Sequence, residues 1–218
     1  MPDQALAALA HRGPGAAGVD ELESGDWSCH IAHTRLAIND LTGSGDQPLY
    51  NEDETLALVF NGEIYNSPEL RRDCEAKGHT FRSRSDGEVI LHLWEDEGPT
   101  ALRRLNGIFA FAIQDRRNGT LVLVRDPLGV KPLFWSADRG SLWFASELQV
   151  LKAAGAPLGS PDVVALAQFL TFLWIPDPEP PIPVRTASRP APCSPGGREP
   201  IASRSTPTSW PTAPPRRP

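Results

Sequence analysis

Through the first 175 positions, apolar residues come in short blocks separated by Gly, Asp, Asn, Ser and Pro. "CHIAHTRLAI" (29–38) and "TLALVF" (55–60) read as strands. "GIFAFAIQD" (107–115) and "TLVLVRD" (120–126) flank "RRNG", a hairpin signal, and "PLFWS" (132–136) and "SLWFAS" (141–146) flank "ADRG", a second one. Helical spacing appears in "SPELRRDCEAKG" (67–78), with Ser67 placed as N-cap, Pro68 at the first helical position and Gly78 as the stop. "SDGEVILHLWEDEG" (85–98) sets Ser85 and Glu88 in capping-box spacing. A last segment behind Pro161, "DVVALAQFLTFLWI", reads as a helix apolar almost all round, which calls for partners on several sides. Antiparallel strands with helices grouped apart indicate an α+β fold, most simply two sheets with helices on their outer faces.

Composition changes near Pro176. The following residues are dominated by Pro, Ser, Thr and Arg and cannot bury enough apolar surface to offset the entropy of ordering, so disorder is expected over 179–218. The 218 residues therefore divide into an ordered domain over 1–160, an apolar helix and linker start over 161–178, and the tail. With a net charge of −6 and scattered basic residues, no nucleic-acid partner is expected. No apolar run is long enough to cross a bilayer, and the N-terminus lacks the basic flank of a signal peptide, so no membrane role is expected. Cys29, Cys74 and Cys193 are odd in number and far apart, which argues against a disulfide framework and for a reducing, cytoplasmic setting.

Three positions carry candidate chemistry. Asn61-Gly62, at the end of "LVFNG", is either a hairpin turn or a pair of neutral donors converging on an oxyanion, since Gly62 has no Cβ to keep a ligand away from its N–H. Arg35, inside the strand "AHTRLAI", either lies on a wet sheet face or binds a small carboxylate. Asp86 sits in the first turn of an expected helix, where the dipole favours it, or binds an ammonium group. His30 and His33 point to opposite faces of a strand, and His11, His79 and His92 show no ligand spacing, so no metal site is expected. A carboxylate binder, an ammonium binder and an oxyanion pair together describe an amino-acid amide as ligand.

The ordered series "HRGPG", "AHTRLAI", "QPL", "FNGEIYN", "SDGEVIL", "LNGIFAFAI", "RDPLGVKPLFW" and "ASEL" resembles the glutaminase domain of glutamine-hydrolysing asparagine synthetases, over roughly residues 5 to 178. That domain is a class II glutamine amidotransferase of the N-terminal-nucleophile type. The resemblance implies a four-layer αββα sandwich that binds L-glutamine. It implies Arg35 on the glutamine α-carboxylate, with Leu36, Ala37, Ile38 and Asn39 lining the pocket. It further implies Asn61 and Gly62 as oxyanion donors, Glu63 beside them on the substrate, and Asp86 on the α-amino group. On this reading the break at Asn61-Gly62 is a turn that doubles as an oxyanion hole.

The family's nucleophile is a cysteine at the mature N-terminus, whose own amine serves as base. Here the sequence begins "MPDQALAALAHRGP", without that cysteine or its strand, and has Gly15 where the family usually has Asp. Nor does it contain the "SGGxDS" phosphate loop of the synthetase domain, to which ATP and magnesium would belong. The expectation is a glutaminase domain truncated at both ends, lacking its first strand and any catalytic nucleophile, with no cofactor of its own. The parent reaction would be glutamine hydrolysis supplying ammonia for ATP-dependent amidation of aspartate. The alternative is a non-catalytic module that binds glutamine or docks on a separate synthetase domain or subunit.

Overall fold

The structure, a computed structural model, describes residues 2–13, 17–24, 27–35, 43–138, 140–160, 162–173, 185–186 and 191–193. Helix α1 (Pro2–Leu9) leads into the hairpin of β1 (Ala17–Ser24) and β2 (Trp27–Thr34). Then come β3 (Leu49–Tyr50), β4 (Leu56–Ile64), α2 (Ser67–Ala76), α3 (Glu88–Glu97), β5 (Gly107–Asp115) and β6 (Thr120–Arg125). The hairpin of β7 (Phe134–Asp138) and β8 (Ser141–Ala145) is followed by α4 (Leu148–Ala153), α5 (Val163–Phe172), β9 (Arg185–Thr186) and β10 (Ala191–Cys193).

β10-β6-β5-β4-β3 form one antiparallel sheet; β1-β2 and β8-β7-β9 form two smaller ones. The two-residue period of a strand sorts the side chains of the large sheet. Leu56, Leu58, Phe60, Phe109, Phe111, Ile113, Val122 and Val124 pack with Val89, Ile90, Leu93 and Trp94 of α3 and Leu70 and Cys74 of α2. The alternate positions Ala57, Val59, Ala110, Ala112, Leu121 and Leu123 meet Cys29, Ile31 and Trp135 of the smaller sheets and Leu133 just before β7. Bulky side chains thus fill the space beneath the helices, and alanines let the sheets approach on the other face. On the far side, α1 and α4 close over Phe134, Trp143 and Ala145. The layering is αββα, an α+β sandwich.

The structure corrects several local expectations. No turn forms at Asn61-Gly62: β4 is nine residues long and pairs Asn61 with Ala110 and Gly62 with Phe109. The chain turns only at Tyr65-Asn66. A continuous partner strand outweighs the local turn preference of Asn-Gly, and Gly62 is required there for packing. A Cβ would lie 2.2 Å from the Ile108 carbonyl oxygen and 2.7 Å from Phe109 Cα. The cap of α2 is Asn66 rather than Ser67, with Pro68 one position deeper; Gly78, at φ 102°, ends the segment as expected. The cap of α3 is Gly87, and the Ser85–Glu88 capping box does not form. Glu88 instead accepts hydrogen bonds from the Arg82 N–H at 2.6 Å, the Ser83 N–H at 2.8 Å and the Ser83 hydroxyl at 2.5 Å.

β1, which the sequence pattern did not suggest, runs along the whole of β2. In the segment expected to be disordered, β9 pairs with β7 and β10 pairs with β6. The reason is available on the sheets themselves: β6 and β7 each offer an edge of backbone donors and acceptors that a short extended segment satisfies, whatever its side chains. The remaining tail positions lie outside the described residues.

Candidate functional site: the open edge of β4

Backbone polarity along β4 defines the site. Phe109, opposite Gly62, turns away from β4: its carbonyl accepts from the Asp126 N–H at 2.7 Å and its own N–H donates to Asp126 Oδ2 at 3.3 Å. Gly62 therefore forms a non-hydrogen-bonded pair with β5, and its N–H and C=O face the opposite edge of β4. β3 covers that edge only as far as Leu58.

Beyond β3, side chains replace a neighbouring strand. The Gln47 carboxamide brackets Phe60, accepting from its N–H at 2.6 Å and donating to its carbonyl at 2.9 Å. Two positions on, the Ile64 N–H donates to Asp86 Oδ2 at 2.7 Å. Between these capped residues, the Gly62 N–H has no partner among the described residues. The half-buried Asn61 carboxamide beside it likewise has none among them. Asn61 continues the Ala57–Val59 face, so it looks toward the smaller sheets, where β2 ends.

Arg35 lies one residue past β2, not within a strand as expected, because β2 stops at Thr34. Its side chain is only 12% exposed, and Nη1 donates to Asp46 Oδ1 at 2.7 Å. The guanidinium is thus already engaged by one carboxylate, the interaction for which its planar fork is suited. Gly13 packs on this strand end, where a Cβ would fall 2.7 Å from the Arg35 nitrogen. The pocket-lining candidates Leu36, Ala37, Ile38 and Asn39 lie outside the described residues. Glu63 is exposed on β4.

Asp86 is not in the first turn of α3; it precedes that helix and caps β4 from across the loop. Its other oxygen, Oδ1, has no partner among the described residues. The loop is held firmly: Arg71 donates to the Ser83 and Ser85 carbonyls at 3.1 and 3.2 Å, and Glu88 holds Ser83. Gly87 approaches the Phe60 ring so closely that a Cβ would lie 2.8 Å from it.

Four participants escaped the sequence reading. Gln47, in "QPL", and Asp46 just before it act through long-range contacts with no local signature. His33 abuts the Phe60 backbone; burial, above all, pulls its pKa down to about 4, and the Arg35 charge adds to this. Asp126, in "RDPLG", is 2% exposed and accepts from the backbone N–H groups of Phe109, Leu128, Val130 and Lys131. Burial works against its charge, but these backbone donors prevail and hold the carboxyl below its usual range.

Cys29 and Cys74 are not placed for catalysis. Cys29 is in the core between the sheets. Cys74 is 1% exposed on the buried face of α2, and burial pushes its thiol up to about 11.

Among known proteins, a family model for a glutamine amidotransferase domain matches residues 2–187. The chain belongs to this family.

Relatives of this amidotransferase domain include asparagine synthetase [glutamine-hydrolyzing] of Sandersonia aurantiaca, 51% identical over 145 residues, covering 66% of this chain and 26% of the relative. Asparagine synthetase [glutamine-hydrolyzing] 3 of Arabidopsis thaliana is 49% identical, with 66% and 24% covered. A probable asparagine synthetase of Dictyostelium discoideum is 48% identical over 147 residues, with 66% and 25% covered. The chain thus spans about a quarter of the length of these relatives. Among solved structures, the B. subtilis glutamine phosphoribosylpyrophosphate amidotransferase complexed with ADP and GMP superposes with a TM-score of 0.59 at 25% identity, over 71% of this chain and 41% of the other. A structure described as the allosteric regulatory enzyme of purine biosynthesis gives 0.60 at 26%, over 71% and 40%. The α+β sandwich of this amidotransferase domain matches the N-terminal-nucleophile hydrolase type of fold in these neighbours.

Proposed function

We propose that the chain binds L-glutamine and serves as the glutaminase side of an asparagine synthetase-type enzyme. Arg35 takes the α-carboxylate and Asp86 Oδ1 the α-ammonium. The Gly62 N–H and the Asn61 carboxamide take the side-chain amide oxygen, with Glu63 and the 36–39 segment completing the pocket. The observation that carries this reading is the interrupted edge of β4, where Phe60 and Ile64 are capped and Gly62 between them is left to a ligand. Two donors on adjacent residues suit an oxygen that gains charge when an amide is attacked.

Isothermal titration with L-glutamine tests it. Saturable binding is expected, weakened by at least about tenfold in Arg35→Ala, since hydrogen bonds to charged groups contribute about 1.5–3 kcal/mol. No binding by a folded chain would overturn the reading. A second reading, a glutamine-binding module without chemistry, is favoured by the buried positions of Cys29 and Cys74. A glutaminase assay on protein of known intact mass separates the two: ammonia release supports the enzyme, and binding without release supports the module.

The partner on this reading is a synthetase domain or subunit seated on α5. Asp162 caps this helix through the Val164 and Ala165 N–H groups, yet Val163, Leu170 and Leu173 are 77, 78 and 79% exposed. Such a surface is costly in water and suits burial against the three quarters of the relatives' length that this chain does not match. Size-exclusion chromatography with a homologous synthetase domain tests the contact. Co-elution lost on Leu170→Glu is expected, and separate elution would sink it.

A further inference from the structure

On the helix-covered side of the large sheet, away from the open edge of β4, the fold gathers four side chains that the sequence keeps far apart. Glu52 comes from the turn between β3 and β4, His79 from the stretch after α2, and His92 and Glu95 from α3. One donor atom from each lies within 4.8 Å of all the others. His79 and His92 show no ligand spacing along the chain, yet the fold brings their rings to a centroid separation of 4.8 Å. We propose that Glu52, His79, His92 and Glu95 form a structural site for a divalent transition-metal ion of the zinc class.

The orientation of the groups supports this more than their proximity does. The Nδ1 atoms of His79 and His92 both face the Glu52 carboxylate, His79 at 3.3 Å from Oε1 and His92 at 3.3 Å from Oε2. That is close to the donor–donor separation around a tetrahedral ion with bonds of about 2.0–2.2 Å. The wider separations, up to 4.8 Å, would have to close as the two glutamate side chains turn toward a bound ion.

Behind each imidazole stands a further carboxylate. His79 Nε2 lies 3.1 Å from Asp96 Oδ1, and His92 Nε2 lies 3.7 Å from Glu88 Oε1. Carboxylate–histidine–metal arrangements fix the tautomer that leaves the other nitrogen free to ligate. Glu95 is oriented too, by the Asn51 carboxamide at 3.0 Å from its Oε2.

His92 itself lacks a hydrogen-bond partner. Its side chain is 1% exposed, and neither ring nitrogen has a hydrogen-bond partner of acceptable geometry. An orphaned buried imidazole is costly unless something occupies it. A cation between it and Glu52 would satisfy Nδ1. Nitrogen and oxygen donors from imidazole and carboxylate suit zinc, cobalt or nickel better than magnesium or calcium, which take oxygen alone.

The site has a structural consequence. Glu88 touches both His92 and Ser83, and Ser83 begins the loop that ends at Asp86. An ion joining the β3–β4 turn to α3 would therefore brace the loop that caps β4, at a distance from the reacting groups.

The experiment uses the full chain, freed of metal with a chelator and titrated with Zn²⁺ and Co²⁺. The expected result is one ion per chain, ligand-field absorption of Co²⁺ without a thiolate charge-transfer band, and a rise in Tm of about 5 °C or more at a hundredfold excess over Kd. Glu95→Gln, at the rim, is expected to stay folded and to weaken binding at least tenfold, and Asp96→Asn to weaken it by about 10–100-fold. His92→Gln is expected to abolish binding. If that variant does not fold, the Glu95 and Asp96 variants carry the test. Sub-stoichiometric uptake with an unchanged Tm would overturn the proposal, leaving a hydrogen-bonded imidazole–carboxylate network. A thiolate spectrum, or binding undiminished in Glu95→Gln, would overturn it as well by placing the ion elsewhere.

Discussion

The two ends of the candidate glutamine site are built differently. At the Asp86 end, the loop from Arg82 to Gly87 is held by Arg71, by the buried Glu88 and by the Phe60 ring, so its carboxylate is fixed before any ligand arrives. At the Arg35 end, the guanidinium follows the last residue of a strand, and its recorded ion-pair partner, Asp46, is 44% exposed. The first end is part of the core's hydrogen bonding; the second pairs a guanidinium only 12% exposed with a carboxylate at the surface. On the proposed reading, the Asp86 end fixes the orientation of the ligand, and the Arg35 end exchanges the half-exposed Asp46 for a substrate carboxylate.

That contrast can be broken at its strong end first. Glu88→Ala leaves the buried Ser83 N–H and hydroxyl and the part-buried Arg82 N–H unpaired, and at about 1–3 kcal/mol per orphaned buried group a loss of about 3–5 kcal/mol is expected in urea unfolding. Gly62→Ala, between the two ends, forces β4 and β5 apart and is expected to cost about 3 kcal/mol while abolishing glutamine binding. Unfolding midpoints and titration of the same preparation check both effects.

Acid sharpens the comparison at the Arg35 end. The folded His33 resists protonation until about pH 4, while the unfolded residue takes up a proton near its ordinary value of 6.5. Its contribution is therefore complete above pH 6.5, declines as pH falls from 6.5 to 4, and changes no further below that. The loss amounts to at most about 3 kcal/mol. His33→Gln is expected to flatten stability over that window, and a wild-type slope persisting in the variant would contradict the assignment. The smallest effect is expected from Asp46→Asn: less than about 1 kcal/mol in stability, with glutamine affinity unchanged or raised. A large destabilisation there would mean that the two ends are built alike after all.

How much of this was legible beforehand depended on distance along the chain. The hairpins around "RRNG" and "ADRG", the stop at Gly78 and the helix behind Pro161 are local matters of turn chemistry and period, and they appear where expected. Asn61-Gly62 misled because a strong local turn signal lay within the reach of β5. Ser85–Glu88 misled in the same way, since the carboxylate found better donors a few residues upstream. The tail's composition pointed to disorder, yet two short pieces of it pair with exposed strand edges.

The sequence by itself determined the residue types that any site here must use, and it ordered them closely enough to mark the family. It also determined the alternation of large and small side chains that separates a helix-facing from a sheet-facing surface, because strand period and side-chain volume are local properties. Only the tertiary structure decided that Gly62 is the uncapped residue between Phe60 and Ile64, that Gln47 and Asp86 supply the caps on either side, and that Glu52, His79, His92 and Glu95 meet. These depend on which edge of a strand remains open and which loops cross it, and such facts arise from pairing between segments tens of residues apart.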